Sequence, residues 1–141
     1  MAIADFPFRH RIEVRFRDCD LLGHVNHVVY LTYLEQSRFM FWRTVTGEAA
    51  GPFDGLIIAR AEIDYRSPAF AGETVDVGIR VESIGRSSFT LANEIVSGRD
   101  GRLLAEARTV LVTYDYEANR SIPIPDDRRA LLERARTAIV K

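Results

Sequence analysis

The chain has 141 residues, of which 47% are hydrophobic and 28% are charged. This length suits one domain, residues 1–141, and the composition predicts a folded chain with a buried core rather than a disordered one. The net charge of −1 and the lack of a basic run argue against a nucleic-acid partner. The single cysteine, Cys19, excludes an intrachain disulfide and fits a reducing compartment.

Two stretches of the sequence bear on where the protein works. Residues 1–11 lack a basic segment followed by an apolar stretch, so no signal peptide is expected. The most apolar long stretch, residues 28–45, contains Glu35, Arg38 and Arg43, and such charges argue against a membrane span. The sequence therefore predicts a cytoplasmic location.

The first element is a strand. Residues 11–17 alternate strictly between apolar and charged side chains, which indicates a half-buried strand. The inner face of this strand would carry Ile12, Val14 and Phe16. The same alternation would place Asp18 and Asp20 on the core side, where an uncompensated carboxylate is costly. Either the strand ends or bends within residues 18–23, or one of the two acids faces a protected site.

A long helix follows this acidic stretch. Residues 27–46 predict a helix of roughly 20 residues, near 30 Å long. Apolar side chains cover most of its circumference, so the helix is expected to be surrounded by the rest of the fold. Asn26 is the predicted N-cap, which would also hold the preceding loop in shape, and Gly47 is the predicted end of the helix.

The rest of the chain is mostly β-structure. Strands are predicted at 56–66, 74–84, 89–96 and 102–115, followed by an amphipathic helix at 126–139. Short connections between consecutive strands predict an antiparallel sheet, and one face of that sheet must cover the long helix. The predicted fold class is α+β: a five-stranded antiparallel sheet wrapped around a long central helix, with a C-terminal surface helix. The sheet edges remain unpaired in this arrangement, so we expect a homodimer or a homotetramer.

The stretch DCDLLGHVNHVVYLTYLEQSR, residues 18–38, resembles the motif of the 4-hydroxybenzoyl-CoA thioesterase family, which has the hot-dog fold. The motif positions present here are Asp18, Asp20, Gly23, His24, Val25, Asn26, Tyr30, Tyr33 and Glu35. The resemblance extends over residues 8–116, and the GHVN form is also similar to acyl-carrier-protein thioesterases of the same fold. It implies a thioester hydrolase that releases a carboxylic acid and free coenzyme A. Coenzyme A is then part of the substrate, and no separate cofactor is implied.

The resemblance also implies which residues form the site. Asp20 matches the family's catalytic carboxylate, acting as nucleophile or as general base. The family's oxyanion donor is a backbone N–H at the start of the central helix, which falls at His27. The segment that binds coenzyme A is best matched by Arg86, Ser87 and Ser88. The acyl group stays open, as does the choice between coenzyme A and acyl-carrier protein.

The residue chemistry is consistent with this resemblance. A carboxylate can attack a thioester or activate water, and a helix N-terminus offers unpaired N–H groups to a developing oxyanion. Gly23 would let the backbone bend between Asp20 and the helix. The coenzyme A thiolate is a good leaving group and the motif lacks metal-ligand spacing, so no metal is expected.

Other interpretations of these residues stay open. Asp20 could be a turn or capping acid, and Asp18 a structural acid paired with a nearby arginine. A structural role is preferred for the side chain of His24, because a nearby acid already suits the catalytic task. If His24 were instead the base, the protein would be a hydratase-like enzyme. Glu35 could be a second acid or base, but an ion pair with Arg38 is the simpler interpretation. The whole chain could also be a non-catalytic acyl-CoA or acyl-carrier-protein binding protein.

Overall fold

The computed structural model describes residues 6–47 and 55–137. The strands are β1 (Phe8–Glu13), β2 (Leu56–Tyr65), β3 (Thr74–Ile84), β4 (Ser88–Ser97), β5 (Leu103–Asp115) and β6 (Arg120–Ser121), and the helices are α1 (Val29–Thr46) and α2 (Asp126–Thr137). The strands pair antiparallel in the order β1-β3-β4-β5-β2, with β6 added beside β5. This confirms the predicted α+β arrangement, to which the two-residue β6 is an addition.

Strand β2 lies apart from its neighbour in sequence. β3, β4 and β5 form consecutive antiparallel pairs, whereas β2 pairs with β5 at the far edge of the sheet. Residues 66–73 therefore cross one end of the sheet to connect β2 with β3. This crossing segment supports the chain before α1, because the Val25 N–H donates to the Ala69 carbonyl at 2.8 Å.

The first strand differs from the prediction. β1 ends at Glu13, and residues 16–18 form a short 3₁₀ turn instead of continuing the strand. Phe16, predicted to face the core, is 89% exposed, while Asp18 is only 3% exposed. The chain turns here because the Asp18 carboxylate accepts the Arg15 backbone N–H, an interaction that an extended strand could not make. Both alternatives for the acidic stretch therefore apply: the chain bends, and one acid is buried.

Helix α1 packs against the inner face of the sheet. It contains 18 residues and is about 27 Å long. Its second half is held by aromatic contacts with strand residues: Phe41 meets Phe8 edge-to-face at 5.5 Å, and Trp42 stacks on Phe89 at 5.8 Å. The predicted end at Gly47 is confirmed, since its φ of 67° lies in the left-handed region.

The helix is not centred on the sheet. α1 packs mainly against β1, β3 and α2, and the inner face near β2 has fewer helical contacts. α2 packs against α1 and β3, and its Leu132 is fully buried. Within the described ranges, neither helix is long and apolar enough to cross a membrane.

Candidate active site

The loop before α1 is a tight turn closed by backbone hydrogen bonds. Cys19 and Val25 pair across it as an isolated bridge, and the Asp20 N–H donates to the His24 carbonyl at 3.0 Å. Gly23 completes the turn with a φ of 89°, a conformation that glycine adopts without steric cost. The predicted bend at Gly23 is thus present, and it brings the two arms of the loop together.

Asp20 lies half-buried in this turn. Its Oδ1 accepts the Leu22 N–H at 2.9 Å, a local contact that stabilises the turn. Within the described part of the chain, its Oδ2 has no hydrogen-bond donor. The carboxylate therefore has a structural contact on one oxygen and leaves the other available to water or a substrate.

Asn26 does not cap α1 in the predicted way. The residue that flanks the helix is Val28, whose side chain cannot cap it. Asn26 instead acts two residues earlier: its Oδ1 accepts the Val28 N–H at 3.1 Å, and its carbonyl accepts the Val29 N–H at 2.9 Å. Asn26 thus binds two of the N–H groups at the start of the helix.

The N–H of His27 lies just before these two occupied positions. It has no acceptor among the described residues, whereas the N–H groups of Val28 and Val29 both donate to Asn26. The His27 carbonyl accepts the Tyr65 hydroxyl at 2.9 Å. Hydrogen bonds thus hold the chain on both sides of the His27 N–H, an arrangement that suits a preorganised donor to an oxyanion.

The sequence did not predict that Tyr65 lies beside the loop that carries Asp20 and His27. It lies at the end of β2, and its ring contacts both His27 and Tyr30 edge-to-face. It is separated from His27 by 38 residues in sequence, so no local pattern connects the two. The only sequence signal is an aromatic residue with a hydroxyl at the end of a strand.

The side chain of His24 has a weaker set of contacts. Its Nδ1 lies 3.4 Å from the Val25 carbonyl, and its own carbonyl accepts the Asp20 N–H. His24 also forms an isolated bridge with Phe70 in the crossing segment. These contacts favour the structural interpretation, in which His24 helps to join the loop to the sheet.

Asp18 connects the loop to α1. Its carboxylate accepts hydrogen bonds from the Arg15 N–H at 3.0 Å, from the Arg15 guanidinium at 2.9 Å and from the Tyr33 hydroxyl at 2.8 Å. Its carbonyl accepts the Asn26 N–H at 2.9 Å. The predicted pairing of Asp18 with a nearby arginine is present, and the partner is Arg15.

These contacts determine the protonation states of Asp18 and Tyr33. Burial by itself would raise the pKa of Asp18, but the hydrogen bonds from Arg15 and Tyr33 outweigh it and hold that pKa below its usual range. Burial and the neighbouring Asp18 charge raise the pKa of Tyr33. Tyr33 therefore stays a donor and Asp18 stays an anionic acceptor over the neutral pH range.

The segment expected to bind coenzyme A lies elsewhere. Arg86, Ser87 and Ser88 follow β3, whereas the loop with Asp20 contacts the residues that precede β3. The 11 residues of β3 separate the two positions by about 35 Å along the strand. The Arg86 side chain is exposed and has no partner among the described residues. Within one chain, Arg86 and Asp20 therefore do not form one site.

An apolar cavity of about 400 Å³ lies along α1. Its walls come from residues 35–42 of α1, from the start of β2 and from β4 and β5, and both Glu35 and Arg38 line it. The expected Glu35–Arg38 ion pair is not a direct contact: Glu35 acts on Arg38 only through its charge. No cluster of three potential metal-ligating side chains occurs among the described residues.

An antiparallel sheet wrapped around one long helix is the hot-dog fold. The chain belongs to the Thioesterase-like superfamily, which matches residues 14–132. The predictions of a hot-dog fold and of a thioester hydrolase are confirmed at this level. The narrower 4-hydroxybenzoyl-CoA thioesterase family is not confirmed, since the relatives are other thioesterases.

Three similar proteins illustrate the relationship. A thioesterase from Thermus thermophilus, solved with coenzyme A and Zn, superposes with a TM-score of 0.82 at 34% identity, over 93% of this chain and 95% of that one. The long-chain acyl-CoA thioesterase FadM of Escherichia coli (strain K12) is 24% identical over 87% of this chain and 95% of its own length. The 1,4-dihydroxy-2-naphthoyl-CoA hydrolase of Synechococcus elongatus is 23% identical over 88% of this chain and 92% of its own length.

The buried Asp18 carboxylate predicts a pH-dependent stability. Asp18→Asn should lower the free energy of unfolding at neutral pH by roughly 2 kcal/mol, because it removes charge-assisted hydrogen bonds to Arg15 and Tyr33. The folded-state pKa of Asp18 is depressed, so this stabilisation is fully present above the unfolded-state pKa of about 4. It is lost as the pH falls through the lower folded-state pKa. Urea unfolding of both proteins at neutral pH and at about pH 3 measures the effect.

Asp20→Asn is the matched control for this measurement, because it changes a half-buried acid of the same loop that accepts one backbone hydrogen bond. Its effect on stability should stay below about 1 kcal/mol. Equal losses for the two variants, or a loss in Asp18→Asn that does not shrink at low pH, would contradict the role given to Asp18.

The contact between Tyr65 and the His27 carbonyl predicts a positioning effect. Tyr65→Phe should lower kcat for thioester hydrolysis roughly tenfold with little change in KM if the His27 N–H is an oxyanion donor, because one hydrogen bond that orients this N–H is lost. Steady-state kinetics with an accepted acyl-CoA measures both constants. Tyr114→Phe on β5 removes a phenol remote from the loop and should change neither. A rise in KM with an unchanged kcat would instead assign Tyr65 to ground-state binding.

Proposed function

We propose that this protein hydrolyses acyl-CoA thioesters to a carboxylic acid and free coenzyme A, with Asp20 and the N-terminus of α1 as the catalytic groups. The observation that carries the proposal is the pairing, on one loop, of a carboxylate oxygen without a donor and a backbone N–H without an acceptor among the described residues. A negatively charged group and a hydrogen-bond donor are the two requirements of acyl transfer from a thioester. Membership of the Thioesterase-like superfamily supports the same reaction.

The proposed reaction begins at the thioester carbonyl. Asp20 either attacks the carbonyl carbon to form a mixed anhydride, which water then hydrolyses, or takes a proton from the water that attacks. In both routes the carbonyl oxygen becomes an oxyanion, which accepts a hydrogen bond from the His27 N–H at the positive end of the helix dipole. Collapse of the tetrahedral species breaks the C–S bond and expels the coenzyme A thiolate, which is then protonated.

Asn26 has a positioning role in this proposal. Asn26 accepts the N–H groups of Val28 and Val29, while the His27 N–H has no acceptor among the described residues. This arrangement is set before the substrate binds, so little reorganisation is needed in the transition state.

The proposed reaction needs no further group. The thiolate is a good leaving group without Lewis-acid help, and coenzyme A enters as part of the substrate. We therefore assign the protein no metal and no cofactor. A cytoplasmic location is part of the proposal, consistent with the single free cysteine, Cys19.

We further propose that the complete site forms between two copies of the chain. Arg86 and Asp20 are too far apart to serve one substrate within a chain, so a contact between Arg86 and a phosphate of coenzyme A would come from a second copy. The edge at β2, which has no strand on its outer side among the described residues, supports such an assembly: Ile57, Ile58 and Tyr65 are each more than 40% exposed there. A coenzyme A ester is favoured over an acyl-carrier protein because the nucleotide of coenzyme A adds phosphates that the arm of the carrier protein lacks, and Arg86 offers a charged fork for phosphate.

Substitution of Asp20 tests the catalytic assignment. Asp20→Asn should lower kcat by roughly 100- to 10,000-fold, because the amide can neither attack the carbonyl nor accept a proton from water. Release of free thiol from a panel of aromatic, short, medium and long acyl-CoAs measures the loss and also identifies the preferred acyl group.

His24→Ala is the matched control in the same loop, and the folded variant should retain activity. Loss of turnover in His24→Ala with a mild effect of Asp20→Asn would favour a hydratase-like reaction that uses His24. Saturable binding of acyl-CoA without thiol release by the wild-type protein would identify a non-catalytic binding protein. Either result overturns the proposal.

Substitution of Arg86 tests the shared site. Arg86→Ala should raise KM for acyl-CoA roughly tenfold or more through loss of a charge-assisted contact with phosphate. It should spare an acyl N-acetylcysteamine thioester, which has no phosphate. Equal losses for both substrates would refute phosphate binding by Arg86.

Mixed dimers locate Arg86 relative to Asp20. In a dimer of an Asp20→Asn chain and an Arg86→Ala chain, one of the two sites carries both wild-type residues if they come from different copies. Co-expression of the two variants should then recover about a quarter of the wild-type kcat/KM, since half of the dimers are mixed and one of the two sites in each is intact. A kcat/KM no higher than the average of the two separate variants would place Arg86 outside the site of the second copy.

A further inference from the structure

The cavity along α1 has an apolar lining that includes two charged residues, Glu35 and Arg38. Its lining combines aromatic and aliphatic side chains from four elements, including Phe39, Trp42 and Leu111. Glu35 stands at an exposed position of the lining, and Arg38 is partly buried in it. An apolar cavity with few polar groups is typical of small-molecule sites, where the polar groups orient the ligand.

Arg38 lacks a partner within the described part of the chain. Its guanidinium makes no hydrogen bond and no ion pair with any described residue, although it carries five N–H donors. Burial lowers the pKa of Arg38, and the charge of Glu35 offsets only part of this effect. A guanidinium stays charged in proteins, so the cavity contains a partly desolvated cation to which no described residue offers an acceptor.

A second donor belongs to the same lining. The indole Nε1–H of Trp42 is buried and has no acceptor in the described structure. This Nε1 is closed off from the cavity, so the guanidinium of Arg38, and not this indole, is the donor that a ligand in the cavity would meet. The other wall hydroxyl is already used, because Tyr116 donates to the Leu56 carbonyl at 3.0 Å.

The cavity lies in line with the proposed catalytic end of α1. Leu31, Glu35 and Arg38 follow one another at helical spacing on one side of α1. Arg38 lies nine residues beyond Val29, which is about 14 Å along the helix axis. A medium-length acyl chain whose carbonyl meets the His27 N–H could therefore extend to Arg38. α1 would then contact both ends of one substrate.

We propose that the acyl group this site accepts ends in a carboxylate, which Arg38 binds inside the cavity; the inference rests on the proposed thioesterase function. The planar guanidinium matches a carboxylate through two parallel hydrogen bonds, and the apolar surroundings strengthen that interaction. The intervening methylene groups contact the aromatic wall. Glu35 is exposed to solvent, so its repulsion of a bound carboxylate is screened. The substrate class is thus the mono-CoA thioester of a medium-length dicarboxylic acid.

The test compares two substrates of equal length. The wild-type protein should hydrolyse the mono-CoA thioester of decanedioic acid with a kcat/KM roughly ten- to a hundredfold above that of decanoyl-CoA. In Arg38→Met, which keeps the volume of the side chain and removes its charge, the ratio of the two kcat/KM values should fall to about one. Arg43→Met, on the same helix, is the control for loss of a cation and should keep the wild-type ratio. Its guanidinium already lies over the ring of Phe39.

Several results would overturn the inference while leaving the thioesterase proposal intact. These are equal hydrolysis of the two esters by the wild-type protein, or a preference that persists in Arg38→Met. Dissociation of the native assembly in Arg38→Met, seen by sedimentation, would also count against it, because Arg38 would then contact another copy of the chain.

A binding measurement separates the two proposals if neither ester is hydrolysed. Calorimetric titration with decanoate and with decanol needs no turnover. The acid should bind the wild-type protein at least about tenfold more tightly than the alcohol, and Arg38→Met should lose this difference. Equal binding of acid and alcohol by the wild-type protein would reject the role of Arg38 whatever the catalytic result.

Discussion

The buried carboxylate of Asp18 is the interaction on which the proposed site depends. It accepts hydrogen bonds from Arg15 on one side and from Tyr33 of α1 on the other, while its backbone carbonyl holds the N–H of Asn26. A buried carboxylate is costly unless it is paired in this way, so the loop and the helix are stable only together. The geometry of Asp20 and of the His27 N–H follows from that junction, although the hydrogen bonds of Asp18 go to Arg15, Tyr33 and Asn26.

A second constraint is the position of α1 on the sheet. The helix lies towards β1 and β3, and the inner face near β2 remains less covered. This offset produces the cavity and leaves Arg38 within it. The helix therefore bears on the proposed site at two places: the proposed oxyanion donor lies just before its first residue, and its third turn carries a cation without a partner among the described residues. Rigid helical geometry sets the distance between these two points, and hence the length of the acyl group that fits.

The sequence predicted the elements better than their contacts. The strands at β3, β4 and β5 and the end of α1 at Gly47 followed from local alternation and turn chemistry, which depend on neighbours in the chain. The prediction was wrong where long-range contacts decided the outcome. Phe16 followed the alternation of the strand but is exposed, because Asp18 makes the chain turn first. The pairing of β2 with β5 was missed, since a short connection did not imply adjacent strands. Tyr65 was missed because its partner is remote in sequence.

The sequence by itself determined the fold class, the carboxylate-bearing turn before the central helix and the resemblance to thioesterases, because hydrophobic periodicity, Gly23 and the motif are local properties. Only the tertiary structure decided which acid is buried, which N–H is left without an acceptor among the described residues and which side of α1 faces a cavity. It also placed Arg86 at the opposite end of β3 from Asp20. These features depend on which distant residues meet, and hydrogen-bond satisfaction and packing become visible only when the whole sheet has formed around the helix.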